Sequence, residues 1–153
     1  MLDNLNKMNN NKKCRILLVD DDEINRIYFR DIFWIHGNEN EYDVISTTSI
    51  KEARNIVENI ETKPNVIFID TLVAEKGERN DIDSQIKRAL DFVSDIKKDK
   101  KLSDIKIIIY SSQKDKRIER EFIKIGADDF IIKGELLPKE IITFTNKIHE
   151  CYN

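Results

Sequence analysis

The stretch ILLVDDD, residues 16–22, places four apolar residues directly before three aspartates. A short, uninterrupted apolar run is typical of a strand buried on both faces, because a half-buried strand alternates apolar and polar residues. The following segment, Glu23–His36, has apolar residues at helical spacing and ends before Gly37, which favours a helix. These residues predict a β-α unit whose acidic side chains lie at the carboxyl end of the strand.

The same alternation of short apolar runs and longer amphipathic segments recurs four more times. Strands this apolar need helices on both faces of a parallel sheet to shield them from water. The sequence therefore predicts a doubly wound α/β fold. The predicted strands are Arg15–Val19, Tyr42–Thr47, Val66–Ile69, Lys106–Tyr110 and Phe130–Ile132; the later helices are Ile50–Ile60, a segment around Leu90–Ile96, Lys116–Ile125 and Pro138–Cys151.

The length of 153 residues fits one domain, and composition suggests where that domain begins. Residues 1–13 are rich in Asn and Lys and poor in core-forming side chains, so we predict a flexible tail followed by a domain over residues 14–153. The net charge of −3 comes from nearly balanced signs, which argues against nucleic acid as a partner.

Compartment is predicted from cysteine spacing and hydropathy. Cys14 and Cys151 are far apart and lack C-x-x-C spacing, so neither a zinc site nor a redox motif is indicated, and we expect reduced thiols. The apolar runs are far shorter than the roughly 20 residues of a membrane span, and no signal peptide is visible. We therefore predict a cytoplasmic protein that does not bind membranes.

The predicted strand ends carry the chemistry. Asp20–Asp22, Asp70, Ser111 and Lys133 each follow or end a strand, and polar sites of doubly wound sheets collect at the carboxyl edge. Clustered carboxylates need a neutralising cation, and oxygen ligands suit Mg²⁺. With such a metal and a lysine to offset charge, Asp70 can act as a nucleophile toward a phosphoryl group.

The sequence resembles the receiver domain of two-component response regulators, in its stand-alone form. The resemblance runs from about Arg15 to the C-terminal helix. It implies a flavodoxin-like sheet of five parallel strands in the order 2-1-3-4-5. The stretches that carry it are 16–22 through Arg26, Val66–Asp70, Ile107–Ser112 and Gly126–Lys133.

The resemblance also implies roles for individual residues. Asp70 would be the phosphoacceptor. Asp20 and Asp21 would be the acidic pair that holds Mg²⁺, with Asp21 as the more direct ligand, and Leu72 would add its backbone carbonyl.

Three further residues match the catalytic and switch positions of the family. Ser111 and Lys133 would act on the phosphoryl group carried by Asp70. Ser111 and Phe130 would form the conformational switch.

The implied function is signalling rather than catalysis on a separate substrate. A histidine kinase or phosphotransfer protein would phosphorylate the domain in a phosphorelay, and the domain would assist its own phosphotransfer and dephosphorylation. The face formed by the fourth helix, fifth strand and fifth helix would then bind a downstream protein. Little chain follows the last helix, so output is expected from a partner, while a homodimer is left open.

Departures from the family pattern leave a second interpretation open. Val73-Ala74 stands where the family has Met-Pro, and helical periodicity resumes only near Ala89, which indicates an enlarged loop at about 74–88 or a helical extension. Gly134 replaces the proline that usually follows the lysine. The alternative is a pseudo-receiver, an interaction module that works without phosphorylation.

Two other functional classes fit less well. A magnesium-dependent phosphatase with an aspartyl nucleophile usually has a general acid two residues later, where this chain has Leu72. An FMN carrier of similar fold would bind phosphate at the first loop, where the charges of Asp20–Asp22 would repel it.

Overall fold

The computed structural model describes residues 13–38 and 40–149, whose five strands form one parallel sheet in the order β2-β1-β3-β4-β5. The doubly wound architecture and the strand order implied by the resemblance are both confirmed. The predicted strands are correct to within one residue at each end. Their bounds are β1 Cys14–Val19, β2 Tyr42–Thr47, β3 Val66–Ile69, β4 Lys106–Ser111 and β5 Asp129–Ile132.

Five helices cover the two faces of the sheet. Four begin at an acceptor side chain that caps free backbone N–H groups: Asp22, Ser49, Asp81 and Asp115. The helices are α1 Glu23–His36, α2 Ile50–Glu58, α3 Ile82–Lys98, α4 Lys116–Lys124 and α5 Pro138–His149.

Alternate residues of each central strand enter different cores. Leu17 and Val19 of β1 pack with α2, α3 and α4, whereas Ile16 and Leu18 pack with α1 and α5. This two-sided burial explains why the strands are continuously apolar. Since each buried Leu, Ile or Val contributes about 1.5–3 kcal/mol, these strands also hold the carboxyl edge of the sheet in place.

The region after β3 forms the helical extension and not the enlarged loop at about 74–88, the two arrangements that the sequence left open. Helix α3 begins at Ile82 rather than near Ala89, so the helical extension forms and the loop spans only residues 70–81. The side chain of Asp81 accepts hydrogen bonds from the N–H and hydroxyl of Ser84, which starts the helix early. Only Ile86 of the first turns is buried, so the apolar periodicity there was too weak to predict the helix.

The structure bears only in part on the predicted tail and on the predictions for the two cysteines. Residues 1–12 and Cys151 lie outside the described residues. Cys14 is buried in β1 and disulfide-bonded, so the expectation of a reduced thiol is wrong for this residue. No helix in the described ranges is long and apolar enough to cross a membrane. The cytoplasmic location stays a prediction.

Candidate functional site

The carboxyl ends of β1, β3 and β5 bring two acids and a lysine into direct contact. Val19 and Ile69 are neighbours in the sheet, so Asp20 and Asp70, one residue further on, lie side by side. The ammonium of Lys133 donates to Oδ2 of Asp20 at 2.7 Å and to Oδ2 of Asp70 at 2.6 Å. Because all three side chains are largely buried, the contacts are shielded from solvent.

Burial and charge act in opposite directions on this triad. Burial raises the pKa of Asp70, and the attraction and hydrogen bond of Lys133 offset this only in part. For Lys133, burial works to lower the pKa, but the charges of Asp70 and Asp20 and the hydrogen bonds they accept outweigh it, so its pKa is raised. Lys133 therefore carries a firmly held positive charge next to a carboxylate that is costly to ionise.

Asp20 is fixed by the loop that leads into α1. Its Oδ1 accepts a hydrogen bond from the N–H of Asp22 at 2.9 Å, and its carbonyl accepts one from Arg26 at 3.0 Å. Asp22 has a different role, because its side chain caps α1 by accepting hydrogen bonds from the N–H groups of Ile24 and Asn25. Arg26 was part of the sequence resemblance, but its contact was not predicted.

Asp21 is exposed and engages the loop after β3. Its Oδ2 accepts a hydrogen bond from the N–H of Ala74 at 3.0 Å. Within the described ranges, no three acidic, histidine or cysteine side chains are grouped so that they could hold a metal ion. The carboxylates of Asp20, Asp21 and Asp70 nevertheless provide hard oxygen donors of the kind that Mg²⁺ prefers. In this structure Oδ2 of Asp21 is bonded to the loop, and the Oδ2 atoms of Asp20 and Asp70 are bonded to Lys133.

The second oxygen of Asp70 faces the start of the same loop. Oδ1 accepts from the N–H of Leu72 at 3.1 Å, and the Thr71 hydroxyl lies 3.5 Å from it. Thr71 also lies 2.9 Å from the hydroxyl of Ser111, the predicted switch residue. The sequence analysis did not predict a role for Thr71, although its hydroxyl directly follows the candidate phosphoacceptor and could have indicated one.

Phe130 and Gly134 lie on either side of Lys133. Phe130 is partly buried against the core shared by α2, α3 and α4, and its role as a switch stays a prediction. Gly134 has a φ of 88°, a left-handed conformation that glycine adopts without strain. Replacing the family's proline with glycine therefore does not keep Lys133 from the two carboxylates.

The loop over residues 70–81 is anchored by side chains. Oδ1 of Asn80 accepts from the N–H of Glu75 at 2.9 Å and from Arg88 at 2.7 Å, while Nδ2 of Asn80 donates to the Glu75 carbonyl at 3.1 Å. The buried carboxylate of Glu75 accepts from the N–H of Ile50 at the start of α2. The loop is therefore tied to both α2 and α3.

Comparison with solved structures identifies the fold. The chain matches a CheY-like receiver domain protein from Methanospirillum hungatei, with a TM-score of 0.70 and 18% identity over 91% of this chain and 95% of that chain. A phosphorylated cyanobacterial phytochrome response regulator, RcpA, matches with a TM-score of 0.71 and 15% identity, over 91% and 95%. The Mn²⁺-bound form of response regulator Rcp1 matches with 0.67 and 14%, over 91% and 96%.

These likenesses are structural, since no family model and no curated protein matches the sequence. The solved structures cover most of this chain, and this chain covers nearly all of theirs. The receiver-domain fold, which the sequence resemblance implied, is confirmed.

Proposed function

We propose that this chain is a response-regulator receiver domain that accepts a phosphoryl group on Asp70 from a histidine kinase or phosphotransfer protein. The observation that carries the proposal is the contact of Lys133 with both Asp20 and Asp70. A lysine buried between two carboxylates at the carboxyl edge of a doubly wound sheet is arranged to act on an anionic group there. The phosphorylated neighbour RcpA supports the same reading.

Asp70 and Lys133 perform the transfer in this proposal. A carboxylate oxygen of Asp70 bonds to phosphorus while the bond from phosphorus to the donor histidine nitrogen breaks, and the nitrogen keeps the electron pair. The ammonium of Lys133 offsets negative charge on the transferring oxygens. Its raised pKa keeps it protonated throughout the neutral range.

Mg²⁺ is the proposed cofactor, held by Asp20, Asp21, Asp70 and the backbone carbonyl of Leu72. When bound, the cation neutralises charge that accumulates on the phosphoryl oxygens. The donor set supports this assignment, and so does the Mn²⁺-bound neighbour Rcp1. Asp21 would have to exchange its hydrogen bond with Ala74 for this role.

Signalling follows from the charge that the phosphoryl group adds. Up to about two negative charges and new acceptor oxygens attract the hydroxyl of Ser111 and the ammonium of Lys133. We propose that this bias, relayed through Phe130, changes partner binding at the face formed by α4, β5 and α5. The domain acts on its own phosphoryl group and has no separate substrate.

Intact-mass analysis after incubation with acetyl phosphate tests the proposal. We expect a magnesium-dependent phosphoryl adduct on the wild type and on Asp91→Asn, a matched change of an exposed aspartate. The adduct should be absent from Asp70→Asn. An adduct that persists in Asp70→Asn would move the phosphoacceptor elsewhere.

A phosphorylation-independent pseudo-receiver is the second candidate. It is favoured by one contact, in which the N–H of Ala74 already occupies a carboxylate oxygen of Asp21, a proposed metal ligand. Isothermal titration with Mg²⁺ discriminates the two candidates. Absence of both metal binding and adduct in the wild type would favour the pseudo-receiver.

A further inference from the structure

Thr71 and Ser111 form a hydrogen-bonded pair inside the protein. Both side chains are fully buried, and their hydroxyl oxygens lie 2.9 Å apart. Thr71 follows Asp70 directly, and Ser111 is the last residue of the neighbouring strand β4. The pair therefore joins the phosphoacceptor position to the candidate switch residue.

The surrounding contacts favour Ser111 as the donor in this pair. The Ser111 hydroxyl accepts from the N–H of Gln113 at 3.1 Å, so its proton is free to donate elsewhere. The Thr71 hydroxyl can donate its own proton to Oδ1 of Asp70, across a long contact of 3.5 Å. A chain in which Ser111 donates to Thr71 and Thr71 donates to Asp70 satisfies all three groups.

We propose that Thr71 is a positioning residue that holds the Ser111 hydroxyl when Asp70 carries no phosphoryl group. The proposal rests on the proposed function, in which Ser111 turns to the phosphoryl group. Turning requires Ser111 to give up its bond to Thr71, so the strength of that bond sets part of the cost of activation. Thr71 thereby favours the unphosphorylated arrangement.

Binding of beryllofluoride, a phosphoryl mimic, measures this cost without a kinase. The affinity is determined by ¹⁹F NMR titration in Mg²⁺ for the wild type, Thr71→Val, Thr71→Ser, Ser111→Ala and the Thr71→Val, Ser111→Ala double variant. Thr71→Val keeps the shape and removes the hydroxyl, so it should bind about fivefold more tightly, the equilibrium change expected for one hydrogen bond. Thr71→Ser should bind like the wild type.

The Ser111→Ala background separates a positioning role from a general effect on packing. There, Thr71→Val should no longer change the affinity, because the hydroxyl that Thr71 holds is gone. Equal or weaker binding by Thr71→Val, or the same gain in both backgrounds, would overturn the proposal. If Thr71→Val does not fold, Thr71→Ala is subjected to the same comparison.

Failure of the proposed function gives a different result. A wild type that takes up no beryllofluoride in Mg²⁺ would overturn the phosphoacceptor role of Asp70 and the role of Thr71 with it. A wild type that takes it up, together with an unchanged Thr71→Val, would overturn the role of Thr71 alone.

Discussion

The ammonium of Lys133 lies 2.6 Å from Oδ2 of Asp70, although 63 positions separate the two residues in the chain. The contact joins the ends of two strands that are not adjacent, since β4 lies between β3 and β5. Lys133 spans this distance with a side chain that is largely buried. The ion pair therefore belongs to the candidate site and also holds the carboxyl ends of β3 and β5 together.

Replacing Lys133 should destabilise the protein as well as impair phosphorylation. Lys133→Met leaves Asp20 and Asp70 buried without a counter-charge, and removing one partner of a buried pair costs about 3 kcal/mol. We expect this loss in the free energy of unfolding, measured with urea in EDTA at pH 7. Lys114→Met, which removes an exposed lysine 3.6 Å from Glu135, should change it by less than about 1 kcal/mol. Equal losses would contradict the prediction.

The pH dependence of stability should report the raised pKa of Asp70. Above its ordinary value of 3.8, the folded chain keeps a proton that the unfolded chain has released, so the free energy of unfolding falls as pH rises through the folded pKa. Asp70→Asn removes this dependence. The free energy of unfolding of Asp70→Asn relative to the wild type, measured with urea in EDTA, should therefore rise from pH 4 to pH 7.

Asp104→Asn is a control with the opposite sign. The hydrogen bond from Lys63 lowers the pKa of Asp104, so its carboxylate favours folding at neutral pH and this contribution is lost as pH falls. The stability of Asp104→Asn relative to the wild type should fall from pH 4 to pH 7. Parallel trends in the two variants would refute the assignment for Asp70.

Magnesium affinity should distinguish Asp21 from its neighbour Asp22. Asp21→Asn removes a proposed ligand charge and should weaken Mg²⁺ binding about tenfold or more in isothermal titration. Asp22→Asn should bind Mg²⁺ like the wild type and keep its stability, because asparagine caps a helix about as well as aspartate. Unchanged affinity in Asp21→Asn would exclude Asp21 as a ligand.

The anchored loop should loosen when Asn80 is truncated. Asn80→Ala leaves the backbone of Glu75 and the guanidinium of Arg88 without their hydrogen bonds, and we expect a loss of about 1–3 kcal/mol in stability. Hydrogen exchange should increase over residues 74–81. Lys76→Ala, on the exposed part of the same loop, should leave exchange unchanged. Similar exchange in both variants would show that Asn80 does not anchor the loop.

Much of the fold and part of the site could be predicted because burial leaves a clear pattern. Continuous apolar runs marked the strands, and the polar residues that end them, Asp20, Asp70 and Lys133, are the ones the structure brings together. The sequence did not decide whether α3 starts as early as Ile82, because mostly exposed polar residues fill its first turns. The bond between Thr71 and Ser111 was missed because it depends on the register of β3 and β4, which the sequence does not encode locally.

Arg88 helps to hold the loop before α3 in one fixed shape. It donates to the Arg79 carbonyl at 2.5 Å and to Oδ1 of Asn80, while its Nε is buried without a hydrogen-bond partner among the described residues. Together with the hydrogen bonds between Asn80 and Glu75, these contacts fix the backbone on either side of the exposed segment 76–79. A protein that recognises this surface meets a shape already formed, so the complex forms with little loss of conformational entropy.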